Sequence, residues 1–165
     1  MKMKEAHQTH EFAPAYDADS QILILGSFPS VKSREIGFYY GHPKNRFWKL
    51  LSAIYETDEP ISVSEKKLFL KKHHIALWDV IESCDITGSS DSSIRNVKLN
   101  DINRILKAAD IQAVYANGKK AETLYKTYME PLTGKKIISL PSTSPANAAY
   151  SMERLMESWK QILSV

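Results

Sequence analysis

Between Phe38 and Trp48 the chain reads Phe-Tyr-Tyr-Gly-His-Pro-Lys-Asn-Arg-Phe-Trp, five aromatics, a histidine, an amide and two cations within eleven residues. Such a mixture offers flat faces for stacking, an amide for hydrogen bonding and positive charge for a polyanion. Phe47 starts a helical stripe with Leu50, Leu51 and Ile54, so it belongs to a core face. Tyr39, Tyr40 and Asn45 fall outside that stripe and can face a pocket; the plain structural role for Asn45 is to cap the helix. A second segment, Leu140-Pro-Ser-Thr-Ser-Pro-Ala-Asn147, carries two stiffening prolines and three hydroxyls suited to phosphate oxygens. A braced turn before the last helix is its structural alternative. The loop Gly26-Ser-Phe-Pro-Ser30 contains neither G-x-G-x-x-G nor a Walker A pattern, which leaves a dinucleotide or nucleotide triphosphate site without support.

Charge separates along the chain although the net value is only +3. From Ser30 to Lys49 stand Lys32, Arg34, Lys44, Arg46 and Lys49 against one acid, Glu35, whereas 56–59 and 79–91 carry acids and no base. Lys32, Lys44 and Arg46 are expected to contact phosphate, the alternative being an ordinary solvated basic face. The single cysteine, Cys84, permits no internal disulfide and no four-thiolate centre, and it has no basic sequence neighbour to make it a nucleophile. His42, His73 and His74 lack metal-ligand spacing and read as turn or solvated residues. No metal and no cofactor is expected.

The elements that must position these loops are short apolar runs alternating with helical stripes. Strands are expected at Ile22–Leu25, His74–Trp78, Ile111–Ala116 and Lys136–Leu140, and Ser62-Val-Ser-Glu65 reads as a capping box. Helical stripes follow at Ile102–Ala109, Ala121–Tyr128 and Met152–Leu163, while 87–93 reads as a polar loop. Near-continuous apolar strands joined through helices predict an α/β domain, a three-layer α/β/α arrangement around a central, mainly parallel four-stranded sheet. In such sheets the functional crevice lies beyond the carboxyl ends of the strands, which selects 26–45, 79–93, 117–120 and 141–147. With 165 residues, 43% hydrophobic and 25% charged, the chain suits one domain over 1–165, its first ten residues expected as a flexible tail. No run reaches membrane-span length and no secretory signal opens the sequence, so a cytoplasmic monomer with no membrane partner is expected.

In their order, GSFPS, YYGHPKNRFWKLL, ALWDVIESC, ANGKKA and LPSTSPAN resemble the uracil-DNA glycosylase superfamily, and most closely its hypoxanthine-DNA glycosylase branch. The similarity spans roughly residues 10 to 163, and HPKNRFW is also similar to the mismatch-specific uracil/thymine glycosylases. The resemblance implies a monofunctional glycosylase acting on a flipped deaminated base in double-stranded DNA, hypoxanthine first and uracil second. It assigns the water-positioning role to Asn45, because Phe28 occupies the place where many relatives carry Asp or Asn. It makes Phe28, Tyr40 and Asp79 base-binding residues, with Tyr40 stacking on the base. Ser27, Ser30, Lys32, Lys44, Arg46, Ser142, Ser144, Pro145, Ala146 and Asn147 become DNA-binding residues, Pro145 and Ala146 forming a minor-groove wedge. The alternatives are a non-catalytic nucleic-acid binder on the same fold or a mismatch-specific glycosylase.

Overall fold

The computed structural model describes residues 4–165. In chain order it contains β1 (Glu5–Thr9), β2 (Ile22–Gly26), α1 (Val31–Ile36), α2 (Phe47–Ile54), α3 (Val63–Lys72) and β3 (Ile75–Asp79). There follow β4 (Ile81–Thr87), β5 (Arg95–Leu99), α4 (Asn103–Ala108), β6 (Ala113–Asn117) and α5 (Lys119–Leu124). A π turn over Tyr125–Met129 leads into α6 (Glu130–Thr133), then come β7 (Ile137–Leu140) and α7 (Met152–Trp159).

The four apolar runs form one parallel sheet in the order β3-β2-β6-β7. Leu23, Ile24, Leu25, Ala76, Leu77 and Ala116 are fully buried, which is why their segments show no polar alternation. The chain crosses from β2 to β3 in one direction and reaches β6 and β7 in the other. Right-handed crossovers therefore put α1–α3 and α5 on opposite faces. The reversal lies between β2 and β6, and the crevice opens at their carboxyl ends, Gly26 and Asn117. Register brings Asp79 beside Gly26 and Leu140 beside Asn117 on that edge. The α2 stripe is buried as expected and meets α7 through an edge-on Phe47–Trp159 contact at 5.9 Å.

One pair of strands went unforeseen and one expectation is corrected here. The polar loop expected at 87–93 links β4 to β5, which pair antiparallel and, with β1, make a second, three-stranded sheet in the order β1-β4-β5. Its polar sequence hid it, since β4 buries only Ile81, Cys84 and Ile86 and turns its other side chains outward. For the same reason the N-terminal tail is not a tail over Glu5–Thr9, which pairs residue for residue with Thr87–Ser83. Residues 1–3 of that expected tail lie outside the described residues.

Candidate active site

Loops from the carboxyl ends of β2, β3, β6 and β7 enclose an open cavity of about 1650 Å³. All four segments selected from the sequence contribute to its lining, among them Phe28, Tyr40, Asn45, Asp79, Asn117 and Thr143. This exceeds the ~300–1,000 Å³ of a small-molecule pocket, leaving room for more than a base.

On one wall the polar groups form a closed chain. Asn45 Oδ1 accepts from the Phe47 backbone N–H at 3.0 Å and from the Thr143 hydroxyl at 2.8 Å. Thr143 Oγ1 in turn accepts from Asn117 Nδ2 at 3.0 Å, and the Thr143 N–H donates to Asn117 Oδ1, also at 3.0 Å. Backbone N–H groups can only donate, so both amides are oriented without ambiguity. Asn45 does brace the start of α2 as expected, although Arg46, not Asn45, occupies the cap position itself. With both lone pairs of its oxygen engaged, the capacity left on Asn45 is its pair of amide hydrogens. The half-buried side chain lines the cavity with a donor.

The opposite polarity stands on β3. Asp79 is 3% exposed and its Oδ2 accepts from His10 Nε2 at 2.8 Å. Its Oδ1 lies against Gly26, where an added Cβ would sit 2.4 Å from that oxygen and 3.2 Å from the Tyr40 hydroxyl. Glycine is required there by close approach, not by backbone conformation. Tyr40 holds φ at 53°, a left-handed backbone uncommon for a bulky residue. Its ring stacks on Phe47 at 4.0 Å and 23°, so only the other face remains for a base. Burial, reinforced by the Asp79 carboxylate, pushes the Tyr40 phenol far above its ordinary pKa and keeps it a neutral O–H. Among the described residues that hydroxyl has no hydrogen-bond partner. Phe28, 8% exposed, lies edge-on to His10 at 6.3 Å and under the Arg34 guanidinium at 5.5 Å.

Several residues expected to touch DNA are committed elsewhere. Ser27 donates its hydroxyl to Asp91 at 2.8 Å, and Ser30 caps α1 by accepting from the Ser33 N–H at 3.1 Å. Arg46 spends part of its guanidinium inside the protein, donating to the carbonyls of Tyr150 and, at 3.1 Å, Asn147. It clamps the loop from Ser142 to Tyr150 onto α2. Within that loop Asn147 Nδ2 donates to the Ser142 carbonyl at 2.9 Å, while the Ser142 and Ser144 hydroxyls accept from the N–H groups of Ser144 and Ala146 at 3.1 Å each. Stapled in this way, the loop presents Pro145 and the exposed Ala146 at the rim of the cavity. Lys32 is exposed and sits 3.7 Å from Glu35, and Lys44 is exposed beside the cavity-lining His42.

His10, Asp91, Asn117, Thr143 and Lys120 went unnamed in the sequence reading as site residues, yet they line the cavity or hold residues that do. All of them except His10 lay in segments the strand-end rule had selected and carried a polar signal of their own. Of the remaining histidines, His73 stacks on Tyr55 at 4.0 Å and its basicity is lowered by burial, while His74 turns the chain into β3 with φ at 59°. Cys84 is buried, and burial pushes its thiol up to about 11 despite the opposing charge of Arg34, a base that sequence proximity could not reveal. Among the described residues no group of three or more His, Cys, Asp or Glu is arranged to hold a metal, and no helix is long and apolar enough to cross a membrane.

The parallel sheet, with fixed amides on one wall of its crevice and a buried carboxylate on the floor, is shared with proteins of known family. The chain belongs to the uracil DNA glycosylase superfamily, whose model matches residues 13–163. It is 35% identical over 153 residues to a hypoxanthine DNA glycosylase of Methanosarcina acetivorans, covering 92% of this chain and 95% of that protein. A hypoxanthine DNA glycosylase of Methanosarcina barkeri is 39% identical over 113 residues, 67% of this chain and 71% of its own. The solution NMR structure of a proposed uracil DNA glycosylase from Methanosarcina acetivorans superposes with a TM-score of 0.79 at 31% identity, over 98% of this chain and 96% of that one.

Proposed function

We propose that the protein is a monofunctional DNA glycosylase that hydrolyses the N-glycosidic bond of a deaminated base in double-stranded DNA, hypoxanthine first and uracil second. The observation that carries this reading is the pairing of an open donor, the Asn45 amide, with an open acceptor, Asp79 Oδ1, in one cavity at the sheet's switch point. The relatives named hypoxanthine DNA glycosylase support the choice of base.

A base stacked in a duplex cannot reach such a cavity, so the nucleotide is flipped, at a cost of a few kcal/mol that is least for a mismatch. Pro145 and Ala146 on the stapled loop enter the minor groove and fill the vacated space. Phe28 and the open face of Tyr40 cover the base, and Asp79 Oδ1 accepts one of its N–H groups. As the glycosidic bond lengthens, its electron pair moves onto the base nitrogen and C1′ gains oxocarbenium character. A weak nucleophile then suffices, which accounts for the lack of any acid or amide between Gly26 and Ser30. Asn45 donates an amide hydrogen to the oxygen of a water, whose second lone pair attacks C1′. The water's proton goes to the departing base, and free base and an abasic site result. None of these steps draws on a metal or cofactor, and the protein acts as a monomer.

A labelled duplex with one deoxyinosine, incubated with the purified protein and treated with hot alkali, tests the reading. Strand cleavage is expected after alkali and not before it. Protein that binds the duplex yet leaves it alkali-resistant would be a binder only, and cleavage before alkali would make it a lyase. Uracil, xanthine and ethenocytosine opposite each base then rank the substrates.

A further inference from the structure

We infer that His10, delivered from the N-terminal arm, is a positioning residue that fixes the hydrogen-bonding polarity of Asp79 and through it the reading of the base; this rests on the glycosylase function proposed above. His10 follows directly on β1, whose pairing with β4 carries it over the end of the parallel sheet. Its backbone N–H is anchored on the Glu82 carbonyl at 2.7 Å. The ring lies among Phe12 at 4.4 Å, Tyr39 at 5.9 Å and Phe28 at 6.3 Å. The side chains of His10 and Asp79 are 1% and 5% exposed, and they meet at 2.8 Å.

The ring nitrogen that does not meet Asp79, Nδ1, has no partner among the described residues. The consequence for the base does not depend on how the His10 ring carries its protons. Whichever atom holds the shared proton, it sits between Nε2 and Oδ2, so Oδ1 is left as an acceptor. Among the described residues Oδ1 receives no hydrogen bond, and Asp79 lines the cavity.

An acceptor at this place suits the lactam edge that deamination creates. Hypoxanthine presents an N1–H there, whereas adenine presents a bare N1 lone pair that a carboxylate repels. Without His10 the Oδ2 of Asp79 loses its donor, and nothing fixes which oxygen faces the cavity, so the acceptor is no longer held against N1–H. His10 thus serves the reading of the deaminated edge as well as rate.

The test uses the whole chain and duplexes carrying deoxyinosine, deoxyadenosine or a tetrahydrofuran abasic analogue. His10→Phe keeps a ring and removes the donor; His10→Asn places an amide too short to reach Asp79; His10→Gln puts an amide N–H where Nε2 stands. Single-turnover release of hypoxanthine is expected to fall about 10- to 100-fold in the Phe and Asn variants, the range spanned by a lost hydrogen bond to a charged group. The Gln variant is expected to stay within about 3-fold of the parent, and all three to bind the abasic analogue, which has no base to read, as the parent does. Adding His10→Phe to Asp79→Ala is expected to cost nothing more, since a residue acting only through another is silent once that partner is gone. Parental rates in the Phe or Asn variant, or losses that multiply in the double variant, overturn the inference while leaving the glycosylase reading intact. A parent protein that releases no hypoxanthine removes that reading and this inference together.

Discussion

The Asn45 wall and the Asp79 floor of the cavity solve one problem with opposite signs. Each is a polar side chain with half of its hydrogen-bonding capacity used up inside the protein and the other half left open. Asn45 has its oxygen engaged twice and shows amide hydrogens; Asp79 has one oxygen engaged and shows the other. The wall is built from the core fold, by a backbone group two residues on and by the loop after β7. The floor depends on one bond from the N-terminal arm. A buried polar group is aimed less by its own rotamer than by what consumes its remaining capacity.

The sharpest way to break the contrast is at the wall. Asn45→Ser can still brace the helix but cannot reach the water, so the single-turnover rate on deoxyinosine is expected to fall about 100-fold or more with the melting temperature near the parent's. Parental turnover in a folded Ser variant would reduce Asn45 to a cap. Asn45→Asp keeps both accepted bonds and reverses the open end. It should retain partial turnover with a new acid limb, the rate falling as pH drops through the titration of the introduced carboxylate, a limb absent from the parent.

Next in size is Thr143→Val, which keeps the shape and strips out the hydroxyl, stranding Asn117 Nδ2. Unfolding should become easier by about 1–3 kcal/mol, and turnover should fall about 10-fold as Asn45 loses its fixed direction. On the floor, Gly26→Ala drives a methyl to within 2.4 Å of Asp79 Oδ1. Denaturation should show overpacking of about 1–3 kcal/mol, with deoxyinosine turnover hurt more than binding of an abasic duplex. Equal loss on both measures would place the damage outside base reading.

Smaller effects divide the basic residues. Lys44→Ala is expected to lower the log–log salt slope of DNA binding by about 1, whereas Arg46→Ala should weaken binding without changing the slope, because its guanidinium holds the loop. Smallest of all, Cys84, its thiol pushed up to about 11, should resist alkylation at neutral pH until denaturant is added.

The parallel sheet was legible because strands covered on both faces must be apolar throughout, and the strand-end rule then located the cavity. Asn45 was legible from its density of chemical neighbours. What stayed hidden has a common physical origin. β4 has its buried residues at 81, 84 and 86, with irregular register against β5, so Ile81-Glu-Ser-Cys-Asp-Ile-Thr87 shows neither a continuous apolar run nor a clean period of two. His10 sits in a polar stretch with no local sign of burial, and only the long-range pairing of β1 places it. Arg46 and Lys44 look alike as charges two positions apart; the carbonyls of Asn147 and Tyr150, which separate their roles, are about a hundred positions away.

The arm that ends in His10 joins the cavity across a long stretch of chain, and so does the wall opposite it. Its contacts join residues 78 apart for His7 and Asp85 and 69 apart for His10 and Asp79, while the Asn45–Thr143 bond spans 98. Loop closure of this kind is entropically deferred, and contacts of high sequence separation form slowly. During synthesis β1 therefore waits for its partner strand up to Thr87, and the donor wall waits for Thr143. A molecule able to excise a base is one in which both of these closures have been made, so glycosylase turnover during refolding reports the completion of the fold.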